Sequence, residues 1–248
     1  MLLGLAGNPV RHSRSPDLFS RFMAEAGIQG EYRLFELGRA EEIPELFREH
    51  RALVGLNVTI PFKRAVVPLL NELEPAVTAT GSANVVVQSP EGLKGYNTDV
   101  VGFDRTLKRF TAEARRGVLV LGSGGSAQSV AYVLSRHGFP FRIISRRPGP
   151  QVITYEDLTK EIVEDAGLVV NTTPCGMAGM TDALPPFPCH YIGRHQALID
   201  LVYNPPLTPL MRAFRHQGAR AVNGLEMLRI QAEEAWEIFL KAYREKTY

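Results

Sequence analysis

Residues 118–127 have the sequence V-L-V-L-G-S-G-G-S-A, and this stretch decides the fold. Four consecutive apolar residues predict a strand that is buried on both faces, as in a parallel sheet. Apolar residues at helical spacing follow over 127–137 and predict a helix. Glycines between the two allow a tight turn and let the backbone approach an anion at the positive end of the helix.

The pattern G-x-G-x-x-A between a strand and a helix favours a dinucleotide site over a purely structural glycine turn. Six adjacent residues are the expected contacts of the dinucleotide: Gly122, Ser123, Gly124, Gly125, Ser126 and Ala127.

The residues after the next predicted strand, 141–144, indicate which dinucleotide binds. NAD sites place a carboxylate there for the ribose 2′-hydroxyl. Here Ser145, Arg146 and Arg147 follow, and no carboxylate occurs before Glu156. Guanidinium groups suit a 2′-phosphate, and one charge-assisted hydrogen bond gives about a 10- to 150-fold preference. We therefore predict NADP as the cofactor, bound in part by these three residues, with a solvated arginine pair as the alternative.

Apolar runs alternate with helical patterns along the rest of the chain. The second half has predicted strands at 118–121, 141–144, 168–171, 197–201 and 220–222. The first half has predicted strands at 2–6, 32–37 and 54–60, helices at 16–26 and 41–48, and a hairpin of 83–88 with 93–96. Ser15 is the expected N-cap of the first helix, with Pro16 at its first position.

These patterns predict an α/β protein with two domains. An N-terminal α/β substrate domain comprises residues 1–100 plus 224–248, and a Rossmann-like, doubly wound nucleotide domain comprises residues 101–223.

One connection in the nucleotide domain is short. Only residues 146–151 separate the second strand from Val152 and Ile153, whereas a parallel crossover usually takes a dozen or more residues. We expect that Val152 and Ile153 do not form a normally connected third parallel strand, and that the sheet is abbreviated at this edge.

Composition excludes several classes of function. The chain has 248 residues, 45% of them apolar, and a net charge of +2, which argues against nucleic-acid or membrane partners attracted by bulk charge. The amino terminus lacks the features of a signal peptide. Two cysteines, Cys175 and Cys189, have neither disulfide-framework nor zinc-site spacing. We expect a cytoplasmic protein without a metal, either monomer or homodimer.

The first domain carries short polar motifs where strands and loops are predicted to meet: S-R-S-P at 13–16, N-V-T-I-P-F-K at 57–63, Asn84, and N-T-D at 97–99. Singly, each has a structural explanation, such as a helix cap or a turn. Polar residues at strand ends are also where binding sites are usually built.

Together these motifs resemble those of the shikimate dehydrogenase family. The resemblance spans nearly the whole chain and continues through N-T-T-P-C-G-M at 171–177, D-L-V-Y-N-P at 200–205 and G-L-E-M-L-R-I-Q at 224–231. It implies the reversible reduction of 3-dehydroshikimate to shikimate with NADPH, a step in aromatic amino acid biosynthesis.

Site residues carried over by position have four roles. Lys63 and Asp99 are expected at the reacting carbon, and Ser13, Ser15 and Thr59 at the substrate carboxylate. The ring hydroxyls are expected to contact Asn84, Asp99, Tyr203 and Gln231, and the cofactor also Leu201 and Gly224.

The role of Lys63 stays open. If the neighbouring carboxylate dominates, the lysine is protonated and donates to the developing alkoxide, and this is the role we favour in the reduction direction. If desolvation dominates, it is a general base. Two other functions also remain: dehydrogenation of quinate or an aminated analogue, and non-catalytic binding of shikimate by a regulatory protein.

Overall fold

The structure is a computed structural model that describes residues 1–11, 13–149, 152–179 and 183–247. Its contacts divide the chain into two compact units. Unit 1 comprises Met1–Val101 and Arg229–Tyr248, and unit 2 comprises Gly102–Leu228. Both boundaries fall inside helices, slightly further along the chain than the boundaries expected from the sequence.

Unit 1 contains a six-stranded mixed sheet. Its strands are β1 (Leu2–Gly7), β2 (Glu31–Glu36), β3 (Leu53–Val58), β4 (Glu72–Leu73), β5 (Val85–Ser89) and β6 (Gly92–Tyr96). Its helices are α1 (Ser15–Glu25), α2 (Glu42–Glu49), α3 (Pro75–Thr80), the start of α4 (Asp99–Leu107) and most of α9 (Leu225–Thr247), with a 3₁₀ turn at Val67–Leu69. The strand order is β2-β1-β3-β5-β6-β4. β1 runs parallel to β2 and β3, and β5 runs antiparallel to β3 and β6, which confirms the predicted hairpin.

Unit 2 contains a six-stranded sheet in which every strand is parallel to its neighbours. Its strands are β7 (Val118–Leu121), β8 (Phe141–Ser145), β9 (Val152–Thr154), β10 (Leu168–Asn171), β11 (Ala197–Asp200) and β12 (Arg220–Asn223). Its helices are α5 (Thr111–Ala114), α6 (Gly125–Arg136), α7 (Lys160–Asp165), α8 (Pro209–His216) and the start of α9 (Leu225–Thr247), with 3₁₀ turns at Lys108–Phe110 and Cys189–Tyr191. The order β12-β11-β10-β7-β8-β9 confirms the predicted Rossmann-like sheet.

Helices cover both faces of the unit 1 sheet, so β1 and β3 are buried at every position. One face packs on a core that includes Ile43 of α2. The other packs on Phe19 of α1 and Phe239 of α9. Gly55 of β3 makes this second contact possible, because a Cβ there would collide with the Phe239 ring.

The short connection in unit 2 ends in a parallel strand, so our expectation for Val152 and Ile153 is wrong. β9 pairs parallel with β8, and Val152 lies opposite Ile143. Because Ile143 is two residues before the end of β8, the returning chain retraces only about 7 Å. Six linking residues can span about 20 Å, so no helix is required. The edge is nevertheless short, as expected, since β9 has three residues.

The expected cap of α1 is also wrong. Ser15 is the first helical residue, and Arg14 is at the N-cap position without a side-chain cap hydrogen bond. The Ser15 N–H donates instead to Ser13 Oγ at 3.1 Å. Because the Ser13 hydroxyl satisfies this N–H from outside the helix, α1 begins one residue earlier than Pro16 suggests.

None of the helices in the described part of the chain is long and apolar enough to cross a membrane. The described side chains likewise include no group of three or more metal-ligating residues. Cys175 and Cys189 are free thiols. Burial raises the pKa of Cys189 to about 11, so this thiol stays protonated near neutral pH.

Ser82, between α3 and β5, has a buried hydroxyl without a hydrogen-bond partner among the described residues. Its neighbour Thr80 differs, because Thr80 Oγ1 donates to Ala76 O at 2.6 Å and accepts from Asn97 Nδ2 at 2.9 Å. An unsatisfied buried hydroxyl destabilises a fold, whereas a satisfied one is costly to remove.

We expect Ser82→Ala to raise the free energy of unfolding by about 1 kcal/mol, because it removes an unpaired polar atom. The matched control Thr80→Val should lower it by about 1–3 kcal/mol, because Asn97 Nδ2 loses one of its acceptors and keeps the Ser82 carbonyl oxygen. Urea unfolding followed by the fluorescence of Trp236, the single tryptophan and a residue of unit 1, measures both. A loss of stability in Ser82→Ala would show that its hydroxyl has a partner.

Candidate active site

Lys63 and Asp99 form a buried ion pair in unit 1. Lys63 Nζ lies 2.6 Å from Asp99 Oδ2, and the two side chains are only 16% and 7% exposed. Lys63 lies in the segment after β3, and Asp99 is the first residue of α4. The lysine donates a charge-assisted hydrogen bond to the carboxylate. The structure therefore brings together the two residues expected at the reacting carbon.

Asn84 and Gln231 adjoin this pair. Asn84 Nδ2 donates to Asp99 Oδ1 and to Gln231 Oε1, at 3.2 Å in each case. Each Asp99 oxygen thus has a donor, one from Lys63 and the other from Asn84. Asn84 and Asp99 are buried, and Gln231 is partly buried. A small ligand with several hydroxyl groups would find closely spaced donors and acceptors here.

The residues expected at the substrate carboxylate lie in the same unit, at the carboxyl ends of β1 and β3. Ser13 Oγ donates to Ser15 Oγ at 3.1 Å. The Thr59 N–H donates to Ala6 O at 2.9 Å. A Cβ on Gly7 would collide with the Thr59 methyl group, so glycine lets Thr59 pack on the end of β1. The chain runs from that end into the two serines.

Sequence reasoning missed a buried hydrogen bond near Thr59. Tyr32 Oη donates to Asn57 Oδ1 at 2.8 Å, and the Tyr32 ring stacks on Phe19 with a centroid distance of 4.7 Å. This contact holds the end of β3, from which Thr59 follows. The signal was an asparagine inside an otherwise apolar strand, since a buried amide needs a partner.

In unit 2 the glycine turn has the conformation that its sequence requires. Gly122 has φ +107°, and a Cβ there would lie 2.6 Å from Thr172 Oγ1. A Cβ on Gly124, in contrast, would meet no atom within 4 Å. Helix α6 begins at Gly125 without a side-chain cap, so Ser126 lies in its first turn and the fully buried Ala127 packs below. The backbone is therefore open where an anion would approach the helix.

The ends of β7 and β8 lie side by side next to this turn. Ser123 Oγ and Ser145 Oγ are 3.1 Å apart. Arg146 and Arg147, which follow β8, are exposed. The two hydroxyls thus meet beside the turn, and the two arginines follow directly in the segment where the sequence predicts a 2′-phosphate.

A buried polar network at the ends of β10 and β11 was not predicted. Asp200 Oδ1 accepts from Asn171 Nδ2 at 2.9 Å and from the Val202 N–H at 3.1 Å, and Oδ2 accepts from Thr208 Oγ1 at 2.6 Å. Burial raises the pKa of Asp200, although these hydrogen bonds oppose the shift. The network fixes the starts of the loops that follow both strands.

Leu201 and Gly224 meet at the carboxyl ends of β11 and β12. A Cβ on Gly224 would collide with the Leu201 carbonyl oxygen, and the Gly224 N–H donates to Val202 O at 3.2 Å. Glycine is therefore required where α9 begins. Tyr203 follows in the loop after β11 and is partly buried in unit 2.

Known proteins match the chain in both sequence and structure. A family model described as the shikimate dehydrogenase substrate binding domain matches residues 5–86. The chain is 33% identical over 275 residues to the shikimate dehydrogenase (NADP(+)) of Halothermothrix orenii, covering 98% of this chain and 95% of the relative. The chain belongs to the shikimate dehydrogenase family.

Solved structures of the family have the same fold. Shikimate dehydrogenase 1 from Peptoclostridium difficile superposes with a TM-score of 0.87 at 28% identity, covering 97% of this chain and 91% of that one. Quinate dehydrogenase from Corynebacterium glutamicum in complex with NAD gives a TM-score of 0.81 at 29% identity, covering 96% and 93%. The fold therefore accommodates more than one substrate and cofactor, and the side chains must decide between them.

The Asp200 network predicts a pH effect on stability. Because the pKa of Asp200 is raised in the folded chain, the unfolded chain releases this proton at lower pH. Stability is therefore lost as pH rises from about 3.9, the ordinary value, through the raised value.

We expect Asp200→Asn, which cannot ionise, to gain stability relative to the wild type as pH rises through that window. The new amide nitrogen can donate to Thr208 Oγ1, so the two side chains stay hydrogen-bonded, while the Thr208 hydroxyl loses its acceptor at a cost that does not depend on pH. Urea unfolding followed by circular dichroism from pH 3.5 to 7 measures the difference. Asp165→Asn, on the exposed end of α7, is the control and should show little trend. A pH-independent difference for Asp200→Asn would contradict the prediction.

Proposed function

We propose that this protein catalyses the reversible, NADP-dependent reduction of 3-dehydroshikimate to shikimate. The observation that carries the proposal is the buried Lys63–Asp99 pair with Asn84 and Gln231 around it. A pair of this kind supplies a proton donor and an acceptor away from bulk water, which a carbonyl reduction needs. Membership of the family supports the same reaction.

The substrate is held at two ends in this proposal. Ser13, Ser15 and Thr59 offer hydroxyl groups to the substrate carboxylate. The ring hydroxyls form hydrogen bonds with Asn84, Asp99 and Gln231, which lie together in unit 1. A site built from many short polar side chains rejects analogues that lack a hydroxyl, since its own groups would then be unpaired.

The proton comes from Lys63 in the reduction direction. NADPH, when bound, supplies the hydride to the carbonyl carbon. The Lys63 ammonium donates to the carbonyl oxygen and gives it a proton as that oxygen becomes a hydroxyl. Asp99 accepts from Lys63 at 2.6 Å, which fixes the direction of the lysine side chain. In the oxidation of shikimate the same lysine takes the hydroxyl proton back. The alternative for that direction is a neutral Lys63 that acts as general base.

We expect Lys63→Ala to lower kcat by about 10²- to 10⁴-fold and to raise KM for shikimate far less, because a proton donor acts mainly in the transition state. Steady-state rates of NADP⁺ reduction with shikimate measure both constants. Lys160→Ala, which removes an exposed lysine of α7, is the control. A kcat for Lys63→Ala within about threefold of the wild type would exclude Lys63 from the chemistry.

The turn and the arginines fit NADP. Open space over Gly124 and the uncapped start of α6 suit a pyrophosphate, and Ser123, Ser145, Arg146 and Arg147 are donors for a 2′-phosphate. Residues 146–155, which follow β8, include no carboxylate that could recognise the 2′-hydroxyl of an unmodified ribose.

We expect a preference for NADP⁺ over NAD⁺ of about 10- to 150-fold in kcat/KM. Arg146→Ala and Arg147→Ala, tested separately, identify the phosphate-binding arginine as the one whose loss lowers the preference about 10-fold or more without affecting NAD⁺. Arg142→Ala, an exposed residue of β8, is the matched control. Equal use of both cofactors by the wild type would contradict the cofactor assignment.

Dehydrogenation of quinate is the second candidate, because a quinate dehydrogenase superposes on the chain. Rates with shikimate and quinate, measured in parallel, separate the two. A purely binding role is disfavoured by the paired Lys63 and Asp99. Free thiols at Cys175 and Cys189 agree with a reducing compartment, and we place the enzyme in the cytoplasm as part of this proposal.

A further inference from the structure

We propose that Thr98 is a positioning residue whose hydroxyl sets the orientation of the Gln231 carboxamide in the substrate site. The inference rests on the proposed function, because it assigns a role in binding the ring hydroxyls. Thr98 is buried, with 3% of its surface exposed, and lies immediately before Asp99.

The orientation follows from a chain of hydrogen bonds that starts at the backbone. The Thr98 N–H donates to one end of the Asn84 carboxamide at 2.7 Å. A backbone N–H can only donate, so that end is the oxygen and the other end is the NH₂ group. Asn84 Nδ2 then donates to Thr98 Oγ1 at 2.9 Å. Thr98 thus fixes the Asn84 amide through two hydrogen bonds.

The orientation of the Gln231 carboxamide follows from the same argument. Because the Thr98 hydroxyl accepts from Asn84, its single hydrogen is available for another acceptor, and Gln231 Oε1 lies 3.3 Å away. Gln231 Oε1 also lies 3.2 Å from Asn84 Nδ2, whose two hydrogens are shared among Thr98 Oγ1, Asp99 Oδ1 and this oxygen. Two donors therefore hold the Gln231 oxygen on the side of Thr98, and the Gln231 NH₂ group points to the other side.

A fixed amide matters because its two ends have opposite chemistry. Gln231 Oε1 and Asp99 Oδ1 both lie 3.2 Å from Asn84 Nδ2, so the amide and the carboxylate are close neighbours. A ring hydroxyl that donates to Asp99 still has lone pairs, and the Gln231 NH₂ group is suited to meet one of them. A rotated amide would present an oxygen there and repel those lone pairs.

A double-mutant cycle tests whether Thr98 acts through Gln231. Thr98→Val removes the hydroxyl but keeps the shape and the backbone N–H. We expect it to weaken shikimate binding about 3- to 10-fold, as the loss of one oriented hydrogen bond does, and to lower kcat much less. Thr98→Ser keeps the hydroxyl and should restore most of the affinity. In a Gln231→Ala background, Thr98→Val should change the affinity by less than about twofold.

Calorimetry measures the dissociation constant of shikimate, and steady-state rates give the split between KM and kcat. An equal effect of Thr98→Val in both backgrounds, no effect in either, or no rescue by Thr98→Ser would each overturn the inference. Should Thr98→Val fail to fold, Thr98→Ala takes its place in the same cycle. Failure of the proposed function has a different signature, since the wild type would then show no NADP⁺ reduction with shikimate.

Discussion

A buried ammonium–carboxylate pair constrains the whole of the site in unit 1. Removing an ion from water costs several kcal/mol, and only a close partner of opposite charge offsets that penalty. Lys63 and Asp99 are such partners at 2.6 Å. Each therefore requires the other, and the segment after β3 must meet the start of α4. Asn84, the residue before β5, donates to the remaining Asp99 oxygen, so the start of β5 lies beside the same ion pair.

The β5–β6 hairpin is what makes this meeting possible. Val85 pairs with Tyr96, so the residue before β5 and the residues after β6 emerge side by side at the open end of the hairpin. Asn84 consequently donates its N–H to Tyr96 O at 3.0 Å and its side chain contacts Thr98 and Asp99. The antiparallel register thus places N-T-D against Asn84, although the two are separated by a full hairpin in sequence.

Most of the fold could be predicted from the sequence, because buried strands and helices have a simple pattern of apolar residues. Strands covered on both faces are continuous apolar runs, as in β7. The turn after β7 needs a glycine, because position 122 has a positive φ. The two errors, on the β8–β9 connection and on the N-cap of α1, arose because the rules that we applied hold only under certain conditions. The crossover rule assumes strands of similar extent, and β9 begins only two residues before β8 ends. The capping rule identified serine as the cap but chose Ser15, whereas the Ser13 hydroxyl accepts the N–H.

The site was predicted less completely than the fold. Lys63, Asp99, Asn84 and Gln231 followed from motifs and were found together, but nothing local links Gln231 to a residue 147 positions earlier. Such pairings are set by the packing of α9 on the sheet, where Gly55 and Phe239 meet, and not by spacing along the chain. The residues that position the site residues have no motif of their own that could be interpreted from the sequence. Thr98 and Asn57 become informative only when their hydrogen-bond partners are known.

Asp99 and Asp200 show how partners separate a site from a structural core. Both are buried carboxylates. Asp200 has three neutral donors from residues 171, 202 and 208, and burial raises its pKa against the effect of these hydrogen bonds. Asp99 has a cation on one oxygen and a single amide donor on the other. A carboxylate has about four acceptor positions, so Asp99 keeps capacity for a further donor. In the proposed function a substrate hydroxyl supplies that donor, and Lys63 on the other oxygen is the group that exchanges a proton with the substrate.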